Sequence, residues 1–139
     1  LLGQGPLDER INKLGYKLLG QKRFFHTTVD HDRIPEYYRR ADLFALCSES
    51  REAFGTVYLE AMATGLPIVA TDDESRREIL ANSAVFVKNV AGATEYAGAI
   101  IKALRLKSQL RKKALARAKK FTWAKIGDSY QKEFKKLFS

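Results

Sequence analysis

The residues with chemical potential in this 139-residue chain gather in one stretch, Ser48-Glu49-Ser50-Arg51-Glu52-Ala53-Phe54-Gly55-Thr56, which runs into Val57-Tyr58-Leu59-Glu60. Gly55, at the start of a helical pattern, lets backbone approach a ligand closely. The free N–H groups of Phe54, Gly55 and Thr56 and the positive end of the helix dipole together form an anion site. Glu52 lies in the loop before that site, and Glu60 lies one turn inside the helix on the face of Thr56. Two carboxylates beside an anion-binding helix end suit a ligand with both phosphates and hydroxyls, such as a nucleotide sugar. A plainer reading stands beside it: Glu49 and Glu52 favour the helix N-terminus, and Glu60 is a solvated helix residue. The residue types alone leave both open.

The elements that must position these residues follow from the hydrophobic pattern. Leu1-Leu2-Gly3-Gln4-Gly5-Pro6 reads as a strand end followed by a turn. Asp8 to Leu19 carries a helical stripe of Ile11, Leu14, Leu18 and Leu19, closed by Gly20. Arg23 to Val29 is strand-like, and Asp32 to Arg40 is a short helix with Pro35 in its first turn. Asp42 to Ser48 is a nearly continuous apolar run, as expected of a strand covered on both faces. Gly55 to Thr64 is a helix closed by Gly65, and Pro67 to Thr71 is another buried strand. Ser75 and Glu78 have capping-box spacing for the next helix. Ala84 to Val87 is a strand, and from Ala91 the pattern is helical apart from an interruption near Phe121-Thr122-Trp123. Strands alternating with helices imply an α/β fold, a doubly wound parallel sheet with helices on both faces. Ligands of such sheets bind beyond the carboxyl ends of the strands. That places interest on the loops after Leu2, Val29, Ser48 and Thr71.

Composition bounds the function classes. A chain of 139 residues with 45% hydrophobic and 29% charged residues fits one soluble globular domain, 1–139. A chain of this size buries roughly 65–70% of its unfolded surface without disulfides or metal. The single cysteine, Cys47, excludes a disulfide framework and a cysteine-rich zinc site, and points to a reducing, cytoplasmic setting. No apolar run approaches the ~20 residues of a membrane span. Leu1-Leu2-Gly3 is neither a signal peptide nor an initiator Met, so the chain is expected to be a piece of something longer.

The net charge of +9 is uneven. Residues 1–101 hold 12 Lys and Arg against 14 Asp and Glu, a net of −2, whereas residues 102–139 hold 13 against 2, a net of +11. All the excess lies in the basic helical segment 102–138. Its lysines alternate with Leu110, Leu115, Phe121, Trp123, Ile126, Tyr130, Phe134 and Leu137 in an amphipathic pattern whose apolar stripe should pack on the domain. The lysines then solvate the outer face. A sharper alternative is attachment to an anionic membrane surface, peripherally at its inner face. Nucleic acid is the least favoured partner, because no recognised module accompanies the basic residues.

Glu52 and Glu60, with seven residues between them, sit within Glu52-Ala53-Phe54-Gly55 and Glu60-Ala61-Met62-Ala63-Thr64-Gly65-Leu66-Pro67-Ile68-Val69-Ala70-Thr71. This pattern resembles the signature of glycosyltransferase family 4, retaining enzymes of the GT-B fold. Phe25, Val29, Ile34, Tyr38, Ala41 and Asp42 fall where that family has its strand, loop and short helix before the central strand. Phe121-Thr122-Trp123 and a Tyr130-containing helix are similar to the family's end. The resemblance implies the Rossmann-like, C-terminal donor-binding lobe of such an enzyme, N-terminally incomplete.

It also implies roles. Glu60 would bind the ribose hydroxyls of the donor nucleotide as a charged acceptor. Glu52, the catalytic-site carboxylate, would face the transferred sugar. The backbone at Phe54, Gly55 and Thr56 would meet the sugar and the distal phosphate, and Val29 the nucleobase. The implied reaction moves a sugar from a nucleotide sugar to the hydroxyl of a glycan or lipid-linked acceptor with anomeric configuration retained. Helix-end stabilisation of the departing diphosphate takes the place of a metal ion, so neither metal nor other cofactor is expected.

The chain departs from the pattern in three ways. The strand-helix unit that supplies an Arg and a Lys to the diphosphate is missing, as is the acceptor-binding N-terminal domain. The chain alone is therefore expected to be inactive, half of an active site. Where the family has paired glycines, this chain reads Asp72-Asp73-Glu74-Ser75, and three acids there should repel a diphosphate. Cys47 replaces a frequent Pro and Thr27 a frequent Gly, neither removing a needed group.

Other residues carry less. Cys47 reads as a core or loop thiol, because no basic partner lies near it in sequence. His26 and His31 make no metal-ligand spacing. Gly3 and Gly5 form a turn rather than a dinucleotide fingerprint. Trp123 is expected to be a packing anchor for the last helix.

Overall fold

A computed structural model describes residues 1–46, 48 and 55–138. They fall into two compact units, Leu1–Glu36 and Tyr37–Ser139.

In the first unit, α1 spans Asp8–Leu19, as its apolar stripe implies. The turn before it is closed by Asp8, whose Oδ1 accepts from the Gly5 N–H at 2.9 Å. Gly15 is buried in α1 because the Phe24 ring lies against it, and a Cβ there would come within 2.4 Å of that ring. The two strand-like segments pair through one parallel bridge, Leu2 to Thr27, with the Gly3 N–H donating to the Thr27 carbonyl at 3.0 Å. Beyond the bridge the Gly3 carbonyl faces His26 Nε2 at 3.0 Å. Asn12 holds the other side of that ring, its Oδ1 lying 2.9 Å from His26 Nδ1. The histidine is thus a structural residue of this unit. A 3₁₀ turn, His31–Arg33, leads into α2 (Ile34–Arg40), within which the boundary between the units falls.

The second unit is built on a three-stranded parallel sheet, β1 (Phe44–Leu46), β2 (Ile68–Thr71) and β3 (Ala84–Val87), in the order β1-β2-β3. Phe44 pairs with Ile68, and Val69 with Val85. The crossovers are α3 (Thr56–Thr64) and α4 (Glu74–Leu80), followed by α5 (Ala93–Arg105), α6 (Lys107–Ala118) and α7 (Trp123–Leu137). Central β2 buries Ile68, Val69 and Ala70 completely, hence its continuous apolar run. On one face Val69, Val85 and Val87 pack with Ala99 and Ala103 of α5 and Leu110 of α6. On the other, Phe44 meets Tyr58 of α3 edge-on at 5.7 Å between ring centres. Helices cover both faces, the doubly wound arrangement expected.

Three expectations need correction. Asp42 to Ser48 is not a strand covered on both faces: β1 is Phe44–Leu46 with Ala45 exposed, because β2 is its one strand neighbour among the described residues. The cap of α4 is Asp73, whose side chain accepts from the Arg76 N–H at 2.8 Å, and not Ser75. The apolar stripe of the basic segment is used only in part. Leu110 and Ala114 of α6 are buried, but α7 buries no residue, and Trp123 is 87% exposed instead of anchoring it. Thr122 starts α7 by capping the Lys125 N–H, and of the apolar residues of this helix only Ile126 is half-buried, the others being exposed.

Gly65 does two jobs. With φ 74° it turns the chain out of α3, the Gly65 and Leu66 N–H groups bonding back to Met62 and Ala61 at 3.0 and 3.1 Å. A Cβ at Gly65 would lie 3.0 Å from Arg111 Cγ and 3.2 Å from Leu115 Cγ, so its absence also admits α6. No helix among the described residues is long and apolar enough to cross a membrane.

Candidate functional site

The site grows from the start of α3. Gly55 precedes it in the left-handed conformation, φ 64° and ψ 41°, which glycine adopts without strain. Its carbonyl already accepts from the Tyr58 N–H at 2.9 Å. Gly55 brings no side-chain cap, and the first turn of α3 holds no acidic residue. The positive end of the helix dipole is therefore not offset by its own first turn, the condition for attracting an external anion. Thr56 is exposed at this end, and Glu60 follows one turn later, half-buried.

Glu60 is not simply solvated. The hydroxyl of Tyr38, on α2, donates to Glu60 Oε2 at 3.2 Å. Tyr38 is buried and packs edge-on against Phe44 at 5.7 Å. Burial pushes the Tyr38 hydroxyl far above its ordinary pKa, and the Glu60 charge and hydrogen bond add to the effect. It stays a proton donor to the carboxylate.

Beneath this helix end, polar groups tie the carboxyl ends of the strands together. Thr71 Oγ1 accepts from the Ser48 N–H at 3.0 Å and donates to the Ser48 carbonyl at 2.9 Å. The Tyr58 hydroxyl donates to the Leu46 carbonyl at 2.9 Å and accepts from Arg76 Nε at 3.0 Å. Burial works against the Arg76 charge, but bonds to Asp73 and Tyr58 outweigh it and raise the guanidinium pKa.

The acidic loop after β2 does not act as three free charges. Asp72 pairs with Arg77, which reaches it through Nε and, at 2.8 Å, through Nη2; Asp73 pairs with Arg76. The hydrogen bond from Arg77 holds the Asp72 carboxyl below its usual range. The repulsion expected from Asp72-Asp73-Glu74 is thus offset at two of its three positions. The open depression beside it, lined by Asp72, Asp73, Glu74, Arg77 and Glu78, still holds four carboxylates against one guanidinium.

Of the expected site residues, Gly55, Thr56 and Glu60 come together on one helix end. Val29 lies in the first unit, two residues past the bridge at Thr27, and is half-buried. Glu52 and Phe54 lie outside the described residues, as does Cys47. Sequence reasoning did not assign site roles to Tyr38, Tyr58, Thr71 or Arg76. The one available signal was the pair Arg76-Arg77 directly after the acidic run, which invites local ion pairs. Among the described residues no group of three or more His, Cys, Asp or Glu could hold a metal ion.

Residues 1–121 match the family described as Glycosyl transferases group 1. The lipopolysaccharide core biosynthesis mannosyltransferase LpsB of Rhizobium meliloti (strain 1021) is 37% identical over 107 residues, covering 77% of this chain and 26% of that protein. A GDP-mannose-dependent alpha-(1-6)-phosphatidylinositol monomannoside mannosyltransferase of Mycolicibacterium smegmatis is 31% identical over 77 residues, covering 50% of this chain and 20% of that one. Among solved structures, the pneumococcal O-GlcNAc transferase GtfA in complex with UDP and GlcNAc superposes with a TM-score of 0.77 at 15% identity, over 99% of this chain and 29% of that one. This last likeness speaks to the fold. The chain spans about a quarter of the length of LpsB.

Proposed function

The chain belongs to the Glycosyl transferases group 1 family, with the GT-B fold, and from that premise we propose that it is the lobe holding the nucleotide-sugar donor of a retaining glycosyltransferase. One observation carries the reading: Glu60 stands one turn behind an α3 start whose Gly55 is left-handed and whose first turn is free of acids. An anion-attracting helix end and a hydrogen-bonded carboxylate, one helical turn apart, match the two ends of a nucleoside diphosphate.

In the proposed reaction the acceptor hydroxyl oxygen bonds to the anomeric carbon as the bond from that carbon to the diphosphate breaks. The hydroxyl proton leaves with the departing phosphate. The start of α3 faces the growing negative charge, the term that a preorganised helix end can supply. Glu60 receives the ribose hydroxyls, Gly55 and Thr56 with Phe54 meet sugar and phosphate through their backbone, Glu52 faces the transferred sugar, and Val29 meets the base. Turnover belongs to a longer protein of which this chain is one lobe. GDP-mannose is the first donor to try, since it is the donor named for the mycobacterial relative.

Donor binding to the full-length protein and to Glu60→Ala tests the assignment. Loss of hydrogen bonds to a carboxylate costs about 1.5–3 kcal/mol. Unchanged affinity removes Glu60 from the site.

The exposed face of α7 supports a second property, contact with an anionic membrane surface from the cytoplasmic side. Trp123, Tyr130, Phe134 and Leu137 are exposed, with Lys125, Lys132, Lys135 and Lys136 on the same helix. A lipid-linked acceptor would be met there. Sedimentation with anionic liposomes should fall as salt rises; no binding at low salt eliminates it.

A further inference from the structure

Glu60 is held by a residue that lies 22 positions earlier in the chain. A glutamate on a helix surface samples several rotamers, so its carboxylate is not by itself aimed at anything. Here Tyr38 donates to Oε2 at 3.2 Å. The phenol is itself placed by packing: its ring meets Phe44 edge-on at 5.7 Å, and Phe44 meets Tyr58 edge-on at 5.7 Å. Tyr38 is 8% exposed. A rigid donor thus fixes one carboxylate oxygen from the side of the sheet.

We propose that Tyr38 is a positioning residue for the donor nucleotide, its hydroxyl holding the Glu60 carboxylate in the orientation that receives the two ribose hydroxyls. The proposal rests on the assignment of Glu60 to the ribose. Acceptor capacity allows it. An ionised carboxylate offers about four lone-pair sites. Tyr38 occupies one on Oε2, which leaves Oε1 and a further site on Oε2 for the sugar. The hydroxyl contacts Glu60 and contributes through it.

The experiment measures binding of GDP, UDP and ADP, and of their 2′,3′-dideoxy counterparts, to the full-length protein and its Tyr38→Phe variant by calorimetry. Wild type should prefer the ribonucleotide by roughly tenfold or more. Tyr38→Phe should reduce that preference by roughly threefold to tenfold, with the affinity for the dideoxy ligand unchanged. General loosening of the fold would weaken both ligands alike and leave the ratio where it was. A ratio retained in Tyr38→Phe overturns the proposal and leaves the Glu60 assignment standing. No preference in wild type, or no binding of any nucleotide, overturns the Glu60 assignment and the proposal with it. A second measurement guards against a poorly folded variant. In a Glu60→Ala background, adding Tyr38→Phe should leave the ratio unchanged, and a further fall there overturns the proposal.

Discussion

Arg76 and Tyr58 meet inside the second unit, Arg76 Nε donating to the Tyr58 hydroxyl at 3.0 Å. The same hydroxyl donates onward to the Leu46 carbonyl at 2.9 Å, so one phenol links the first turn of α4, the first turn of α3 and the last residue of β1. The start of α3, where the proposed donor site lies, is thus tied both to the end of β1 and to α4.

Tyr58→Phe deletes both bonds and keeps the ring against Phe44. The Leu46 carbonyl and Arg76 Nε each lose a partner in the interior, so stability should fall by about 1–3 kcal/mol. Urea denaturation checks this. An unchanged midpoint would mean that the link holds nothing.

Gly55→Ala places a Cβ on a left-handed residue, φ 64° and ψ 41°. The strain costs about 1–2 kcal/mol. Gly55→Asn should cost less, because asparagine tolerates the left-handed conformation better than alanine does. The order of the three melting temperatures, Gly above Asn above Ala, is the measurement. Ala equal to Gly would contradict the conformation given for this turn.

Ala81 presents the opposite case. It is exposed and has φ 48°, the one positive φ on a non-glycine residue among those described. Ala81→Gly relieves the strain at the end of α4 and loses little buried surface. Gly also raises the entropy of the unfolded chain, so the net gain should be modest, about 0.5–1 kcal/mol. A lowered thermal transition would refute it.

How much of this was legible in the chain depended on sequence distance. The range of α1, and the stop of α3 at Gly65, follow from a few neighbouring residues and appear where the periodicity puts them. The cap of α4 is different: the Ser75 and Glu78 spacing points to Ser75, whereas the cap is Asp73, two residues earlier. Where β2 ends decides in favour of Asp73. At the site, Gly55 and Glu60 sit on one helix and their spacing was informative. Tyr38 with Glu60 and Arg76 with Tyr58 are partners from different elements, 22 and 18 residues apart, and no local pattern announces them. The amphipathic pattern of α7 was equally plain, yet a pattern says which face is apolar and not what covers it.

Acid should act through Asp72. The hydrogen bond from Arg77 lowers its pKa in the folded chain below the ordinary 3.8. The unfolded chain therefore takes up this proton first. The contribution of the pair is present above the unfolded value and is lost as pH falls through the lowered folded value. Asp72→Asn should narrow the stability difference from wild type as pH is taken from about 5 to about 3. A difference that stays constant over that range would show that the pair contributes no pH dependence.

The reciprocal bonds between Thr71 and Ser48 have a practical side. A single hydroxyl engages both the N–H and the carbonyl of Ser48, pinning it to the end of β2. Seven residues later Gly55 delivers the chain into α3. For protein engineering, Thr71 is therefore a residue to leave alone, because a substitution that removes its hydroxyl gives up two backbone bonds at once.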